Sequence, residues 1–208
     1  MKTFECACII GVGLLGGSLA KAMRQRRLAK TLVGHGRNRS NLEEAKKLDI
    51  IDSFEVDIQS AVKEADLIVL CTPVQAIVPL VRKMAPSLKA GCLVTDVGSV
   101  KAQLVREVEP LIPEHAFFVG AHPIAGGEKS GLCVSSKTLF EGTRCIVTPT
   151  ERTDPDALKQ TIDLWEQVGT HVSCMDVEEH DYIFGAVSHL PHVVIYALMN
   201  MLGSLKSK

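Results

Sequence analysis

The chain has almost no net charge: 23 Lys and Arg stand against 24 Asp and Glu over 208 residues, a balance of −1. Proteins that grip nucleic acid or an anionic membrane carry a basic excess, so neither partner is expected. An uninterrupted apolar run of about 18 residues, the length of a membrane span, is missing. So is a signal peptide, since Met1-Lys2-Thr3-Phe4 leads straight into a strand. A cytoplasmic location is the corresponding expectation. No Cys-x-x-Cys occurs, and the seven cysteines (Cys6, Cys8, Cys71, Cys92, Cys133, Cys145, Cys174) are odd in number and scattered. That argues against a disulfide framework or a zinc site and for small buried thiols in a reducing compartment. Internal repeats and low-complexity tracts are absent as well. The length bounds the chain to one substantial domain with at most a piece of a second.

What is present is an alternation. Apolar strand candidates fall at 6–10, 31–34, 67–71, 92–95, 117–119, 145–148 and 171–173, with helical patterns between many of them, at 14–27, 76–84, 101–109 and 155–168. This order predicts a doubly wound, mostly parallel α/β sheet. Asp154 before Pro155 marks a helix start. Residues 124–143, rich in Gly and Ser, form the longest irregular stretch, and long loops within compact α/β units are often functional.

Gly11-Val12-Gly13-Leu14-Leu15-Gly16 sits directly after the first strand and opens a helix. This is the context in which a G-x-G-x-x-G loop binds a dinucleotide. Gly11 permits the tight turn, Gly13 the close approach of the pyrophosphate, and Gly16 the packing of helix on strand. The N–H groups at Leu14 and Leu15 belong to the helix end that receives phosphates.

The second strand ends in His35-Gly36-Arg37-Asn38-Arg39. An NAD site offers an Asp or Glu here to hold the ribose 2′-hydroxyl. The acid is missing and Gly36 takes its place, with Arg37, Asn38 and Arg39 beside it. A guanidinium can hold a 2′-phosphate that a carboxylate would repel, so NADP is favoured over NAD. The alternative is that both arginines are solvated loop charges and NAD binds without the acid. His35 reads as a strand-end residue or an adenine-edge contact, and Ser40 with Glu43 as a capping box.

Three clusters carry chemistry. Cys71-Thr72-Pro73 ends a strand at the sheet edge where ligands bind, so Thr72 and Pro73 are cofactor contacts or a plain strand-to-helix turn. In Thr95-Asp96-Val97-Gly98-Ser99-Val100-Lys101, Ser99 is a helix cap, an active-site hydroxyl, or both; Lys101 is expected near solvent. His122, leaving a strand into Pro123-Ile124-Ala125-Gly126-Gly127, is placed for proton transfer, with a satisfied core imidazole as the bland reading. Glu128 is a polar substrate contact or a loop charge. His189 and His192 could share one helix face and bind a carboxylate or order water, and no metal site is expected. His115, His171 and His180 read as structural.

From Asp176 a last helical pattern begins. Its stretch 182–202 is apolar on too many faces for a surface helix, and Pro191 should kink it. A helical second domain or a dimer partner should cover it. The division expected is 1–175 for dinucleotide binding and 176–208 for the truncated start of a helical domain.

The segments 11–18, 70–73, 95–101, 120–126, 128–131 and 188–192, the last reading Ser188-His-Leu-Pro-His192, together resemble the prephenate/arogenate dehydrogenases of tyrosine biosynthesis. The similarity runs through the whole chain in order. It implies a Rossmann-type fold followed by the first helix of an all-helical dimerisation domain, and a homodimer if the full chain is longer. It implies NAD(P)-dependent oxidative decarboxylation of prephenate to 4-hydroxyphenylpyruvate, or of arogenate to tyrosine. His122 would accept the hydroxyl proton, and Ser99 would orient His122 and the nicotinamide end. Glu128, His189 and His192 would line the substrate pocket, and retention of His192 leans toward prephenate. An arginine that binds substrate in the family lies on the missing part of the helical domain. The competing readings are an inert or truncated NADP-binding module and another Rossmann dehydrogenase acting on a hydroxy acid.

Overall fold

The structure, a computed structural model, describes residues 3–205, and the side chains of 3–204. Its strands are β1 Phe4–Ile10, β2 Ala29–His35, β3 Ser53–Glu55, β4 Leu67–Leu70, β5 Leu93–Asp96, β6 Phe117–Pro123, β7 Arg144–Thr148 and β8 His171–Cys174. They form a single eight-stranded sheet in the order β3-β2-β1-β4-β5-β6-β7-β8. Only β6 and β7 run antiparallel to each other; the other neighbours are parallel. The helices are α1 Leu14–Arg26, α2 Arg39–Lys47, α3 Ile58–Val62, α4 Val74–Met84, α5 Ala102–Val108, α6 Pro155–Gln167, α7 Val177–Phe184 and α8 Leu190–Leu205.

The central strands are apolar throughout because both faces are covered. In β1, Ala7 and Ile9 point into a core built with Leu19 and Met23 of α1, Leu42 of α2, and Leu164 and Trp165 of α6. Cys8 and Ile10 point the other way, onto Ile58 of α3, Ile77 and Val81 of α4, and Leu104 and Val108 of α5. That is the doubly wound arrangement expected. The strand β3 escaped the sequence pattern because it has three residues and two are polar. The strand β6 runs four residues past its expected end because it changes partners. Phe117 to Val119 pair with β5, and Gly120 to Pro123 pair with β7. His122 therefore lies within the strand, opposite Ile146.

Helix starts follow local chemistry. Asp154 caps α6 by accepting from the N–H of Asp156 and Ala157, and Asp176 caps α7 through Glu178 and Glu179. Asn38, not Ser40, caps α2: its side-chain oxygen accepts from the N–H of Asn41, and the Ser40 hydroxyl donates to the same oxygen. The helix starts one residue before Ser40, so Ser40 falls inside the first turn.

Between α7 and α8 the chain does not break. Gly185–His189 form a π-helical segment. Pro191 has no N–H to give the Val187 carbonyl, and the ladder widens to π-type turns just before it. The continuous helix Val177–Ser204 is by length and composition apolar enough to cross a membrane, with a mean hydropathy of 1.4 in a window of which none is buried. The expectation against a membrane span counted only uninterrupted apolar runs, and isolated His, Ser and Asn residues hide the helix from that count. Val193, Tyr196 and Met199 are among its exposed apolar side chains.

Candidate active site

The carboxyl ends of β1, β4, β5 and β6 meet at one edge of the sheet. Two cavities open there. The first, about 1070 Å³, is lined by Gly11 to Gly13, by His35 to Leu42 and by one side of α4. The second, about 970 Å³, is lined by Leu15, Val97 to Val100, His122, Pro123 and Ala125. They share Cys71, Thr72 and Pro73. The cleft is thus continuous from the second strand to His122, and it lies at the point where the chain winds from β1 to either side.

The glycine loop shapes the first cavity. Gly11 has φ +98°, and a Cβ there would sit 2.6 Å from the Cys71 carbonyl oxygen. A Cβ on Gly16 would meet the Gly11 carbonyl oxygen at 2.2 Å, so close packing of α1 on the turn requires glycine there. Above Gly13 there is open space. Gly13 brings no side-chain cap to α1, so the first-turn N–H groups face the cavity for a ligand to satisfy. The Thr72 hydroxyl is buried with no hydrogen-bond partner among the described residues, and Thr72 lines both cavities. A buried polar atom without a partner is costly unless a ligand supplies one. These features fit a dinucleotide.

Gly36 could carry a side chain, since a Cβ there finds only Leu42 at 3.7 Å. The missing acid is thus not forced by crowding. Arg37 lines the first cavity, is exposed, and has no ion-pair partner among the described residues. Arg39 pairs with Glu43 at 2.8 Å and lies over the Phe54 ring. His35 is a strand-end residue: its ring bonds the Glu55 carbonyl at 3.0 Å.

At the other end, His122 is half-buried and its Nδ1 lies 2.9 Å from Nε2 of His180. His180 Nδ1 lies 2.8 Å from the carboxylate of Asp181. Phe184 packs against both rings, with centroids 5.1 Å from His122 and 4.7 Å from His180. Burial, then His180, Lys101 and His189 nearby, push the His122 imidazole down to about 3 despite the opposing charge of Asp181. This imidazole is neutral at physiological pH. It does not titrate near neutrality, as the sequence alone led one to expect.

Several expectations are corrected here. Lys101 is fully buried, not near solvent; its ammonium donates to Asp96 and to the Ala121 carbonyl. Asp96 in turn accepts from the N–H of Ala121 and of Gly98. The pair therefore ties the ends of β5 and β6 together directly beneath His122. Burial pulls the Lys101 ammonium down against the pull of Asp96. Ser99 is exposed in the second cavity and does not cap α5. That role falls to Asp181, whose carboxylate accepts from the N–H of Lys101 at 2.7 Å and of Ala102 at 3.0 Å. The ring partner of His122 is His180 rather than Ser99, so His180 is not the isolated structural histidine expected.

The remaining sequence candidates are only partly assembled. Leu14 lies beneath the 124–131 loop, near Gly127. Glu128 is exposed on that loop and lines neither cavity. His189 is half-buried and within electrostatic reach of His122. His192 points outward, its Nδ1 bonded to the Ser188 carbonyl at 2.7 Å. No cluster of potential metal ligands occurs among the described residues. All seven cysteines are free, and burial pushes the thiols of Cys8, Cys71, Cys92 and Cys145 up.

A nucleotide-sized cleft over a glycine turn, closed at one end by a neutral imidazole, defines the class of nicotinamide-dependent dehydrogenases. Within that class the chain belongs to the prephenate dehydrogenase family. Residues 19–174 match the family's nucleotide-binding domain and 176–208 its dimerization domain. The chain is 35% identical to the cyclohexadienyl dehydrogenase of Zymomonas mobilis over all of its length and 71% of the relative's. It is 35% identical to the prephenate dehydrogenase of Bacillus subtilis, covering 92% of this chain and 52% of that one. Its fold superposes with a TM-score of 0.91 on prephenate dehydrogenase from A. aeolicus in complex with hydroxyphenyl propionate and NAD+, at 39% identity over 97% of this chain and 70% of that one. Synechocystis arogenate dehydrogenase matches with a TM-score of 0.85 at 33% identity, covering 95% of this chain and 69% of that one.

Proposed function

We propose that the chain carries the cofactor site and the catalytic base of an enzyme that oxidatively decarboxylates prephenate or arogenate in tyrosine biosynthesis. The observation that carries this reading is His122: a neutral ring at the end of a cleft that fits a dinucleotide. The nicotinamide, when bound, supplies the hydride acceptor. Gly11, Gly13 and the N–H groups of Leu14 and Leu15 hold the pyrophosphate, Thr72 and Pro73 the neighbouring ribose, and Ser99 the nicotinamide end. His122 takes the proton of the ring hydroxyl as the C–H bond on the same carbon breaks. Loss of the ring carboxylate as carbon dioxide makes the ring aromatic, and His122 can return its proton to the resulting phenol oxygen. Aromatisation drives the reaction, so the protein needs a base and a held substrate rather than a covalent nucleophile. His189, half-buried and within electrostatic reach of His122, is assigned to the substrate, and Glu128 and His192 are assigned to it beside His189. Prephenate is the favoured substrate.

The fitting cofactor is NADP, with Arg37 as the 2′-phosphate ligand and Arg39 second to it, since Arg39 already has Glu43. Arg37→Ala should weaken NADP about tenfold or more and NAD little, as read by cofactor titration; equal weakening would remove the preference. We divide the chain at Met175, after the last strand, and read 176–208 as the start of a helical domain that packs against a second copy of the chain. The free thiols suit a reducing cytoplasm. Turnover is tested by mixing the protein with prephenate or arogenate and either cofactor and following reduced nicotinamide. Cofactor binding without reduction in any combination would overturn the proposed reaction in favour of an inert module.

A further inference from the structure

We infer that Asp181 and His180 act as a positioning relay that fixes His122 in the tautomer whose Nε2 is bare. The inference deepens the reading of His122 as a base.

The three groups form one line. A carboxylate can only accept, so the 2.8 Å contact between Asp181 and His180 requires a proton on His180 Nδ1. His180 is neutral, since burial and the nearby Lys101 ammonium push its pKa down more strongly than Asp181 raises it. Its Nε2 is then an acceptor. The 2.9 Å contact between His180 Nε2 and His122 Nδ1 must be satisfied by a proton on His122 Nδ1. The remaining nitrogen of His122, Nε2, carries a lone pair.

Asp181 is itself held. Burial works against its ionisation, but the hydrogen bond from His180 and those from the N–H of Lys101 and Ala102 outweigh it and keep its pKa low. The first turn of α5 therefore fixes the carboxylate that fixes His180. The Lys101 and Asp96 pair fixes the strand on which His122 stands. Phe184, against both rings, keeps water from competing for the inter-ring bond. When His122 takes a proton on Nε2, its Nδ1–H becomes a stronger donor to His180, and the Asp181 carboxylate faces the new charge through one ring. No proton need move along the line.

The direct test is the proton–nitrogen correlation spectrum of the chain labelled at the histidine ring nitrogens. His122 is expected as the Nδ1–H tautomer in the wild type and in His180→Gln, whose amide oxygen can still accept. In His180→Phe, which keeps the ring volume and loses the acceptor, the His122 signals should shift toward Nε2–H. In turnover, His180→Phe should lower kcat about 100-fold with KM and cofactor affinity unchanged, and His180→Gln should recover most of the loss. A wild-type His122 found as Nε2–H overturns the inference, and so does a His180→Phe protein whose His122 signals do not move. If His180→Phe does not fold, the wild-type spectrum decides alone. Absence of turnover with an intact Nδ1–H signature would sink the proposed reaction and leave the relay standing.

Discussion

His122, the base we propose, is kept neutral by its surroundings rather than by its ordinary chemistry. Its pKa is pushed to about 3 by burial and by His180, Lys101 and His189, with Asp181 pulling the other way. Two consequences follow for pH. The rate constant kcat/KM should stay level from neutrality down to about pH 5, because the base is not yet protonated there; a steep fall centred near the ordinary histidine pKa of about 6.5 would contradict the burial. Stability has a definite sign as well. Between about pH 6.5 and the depressed folded value, the unfolded chain binds a proton at this site and the folded chain does not. Stability should therefore rise with pH across that window and be lost as pH falls through it. Urea unfolding at several pH values reads this, and His122→Asn should flatten the slope. His122 itself was legible in the sequence from its place after an apolar strand and before a glycine-rich loop. His180, Asp181 and Lys101 were not, because their roles rest on contacts 58 and 80 residues apart in the chain. The available hint was local: Asp96 five residues before Lys101, and His180 and Asp181 one turn ahead of Phe184.

Elements put these residues in place, and the glycine turn between β1 and α1 is where the demands are sharpest. The glycines have separable duties. Gly16→Ala would drive a methyl to 2.2 Å from the Gly11 carbonyl oxygen, an overpacking that should cost about 1–3 kcal/mol of stability. Gly13→Ala meets nothing in the protein. It should leave the melting temperature nearly unchanged and weaken cofactor binding, because the methyl enters the space we assign to the pyrophosphate. Thermal unfolding paired with cofactor titration separates the two, and equal effects at both positions would refute the division. Turns of this kind are readable because Gly, Pro and Asp carry their geometry with them: Asp154 and Asp176 cap where expected. At the start of α5 the capping alternative for Ser99 fails for the opposite reason. Ser99 has the right residue type for a cap, but a carboxylate from α7 had already taken the position. The π-helical turn at Gly185–His189 was not foreseen; the sequence pointed only to a kink at Pro191.

At the scale of the molecule, the sheet is complete and its cleft is formed, while one long helix presents apolar residues on many faces. Tyr182, Val187, Val193, Tyr196 and Met199 are all more than half exposed, more apolar surface than a solvated helix sustains. We expect this helix to be covered by a second copy, as the match of 176–208 to a dimerization domain supports. Sedimentation of the purified chain should show mass rising with concentration, and charge placed on the helix by Val193→Glu with Tyr196→Glu should return it to a monomer. A chain that is monomeric at all concentrations would argue against self-association through this face. The overall architecture was legible because alternating strands and helices leave few topologies.

The most direct measurement is the rate of nicotinamide reduction by His122→Asn beside the unaltered protein, with cofactor affinity measured on both. Loss of at least about 100-fold in kcat at unchanged cofactor affinity is the expected result. Full activity in the variant, or a loss that comes entirely from weaker cofactor binding, would show that His122 is not the base.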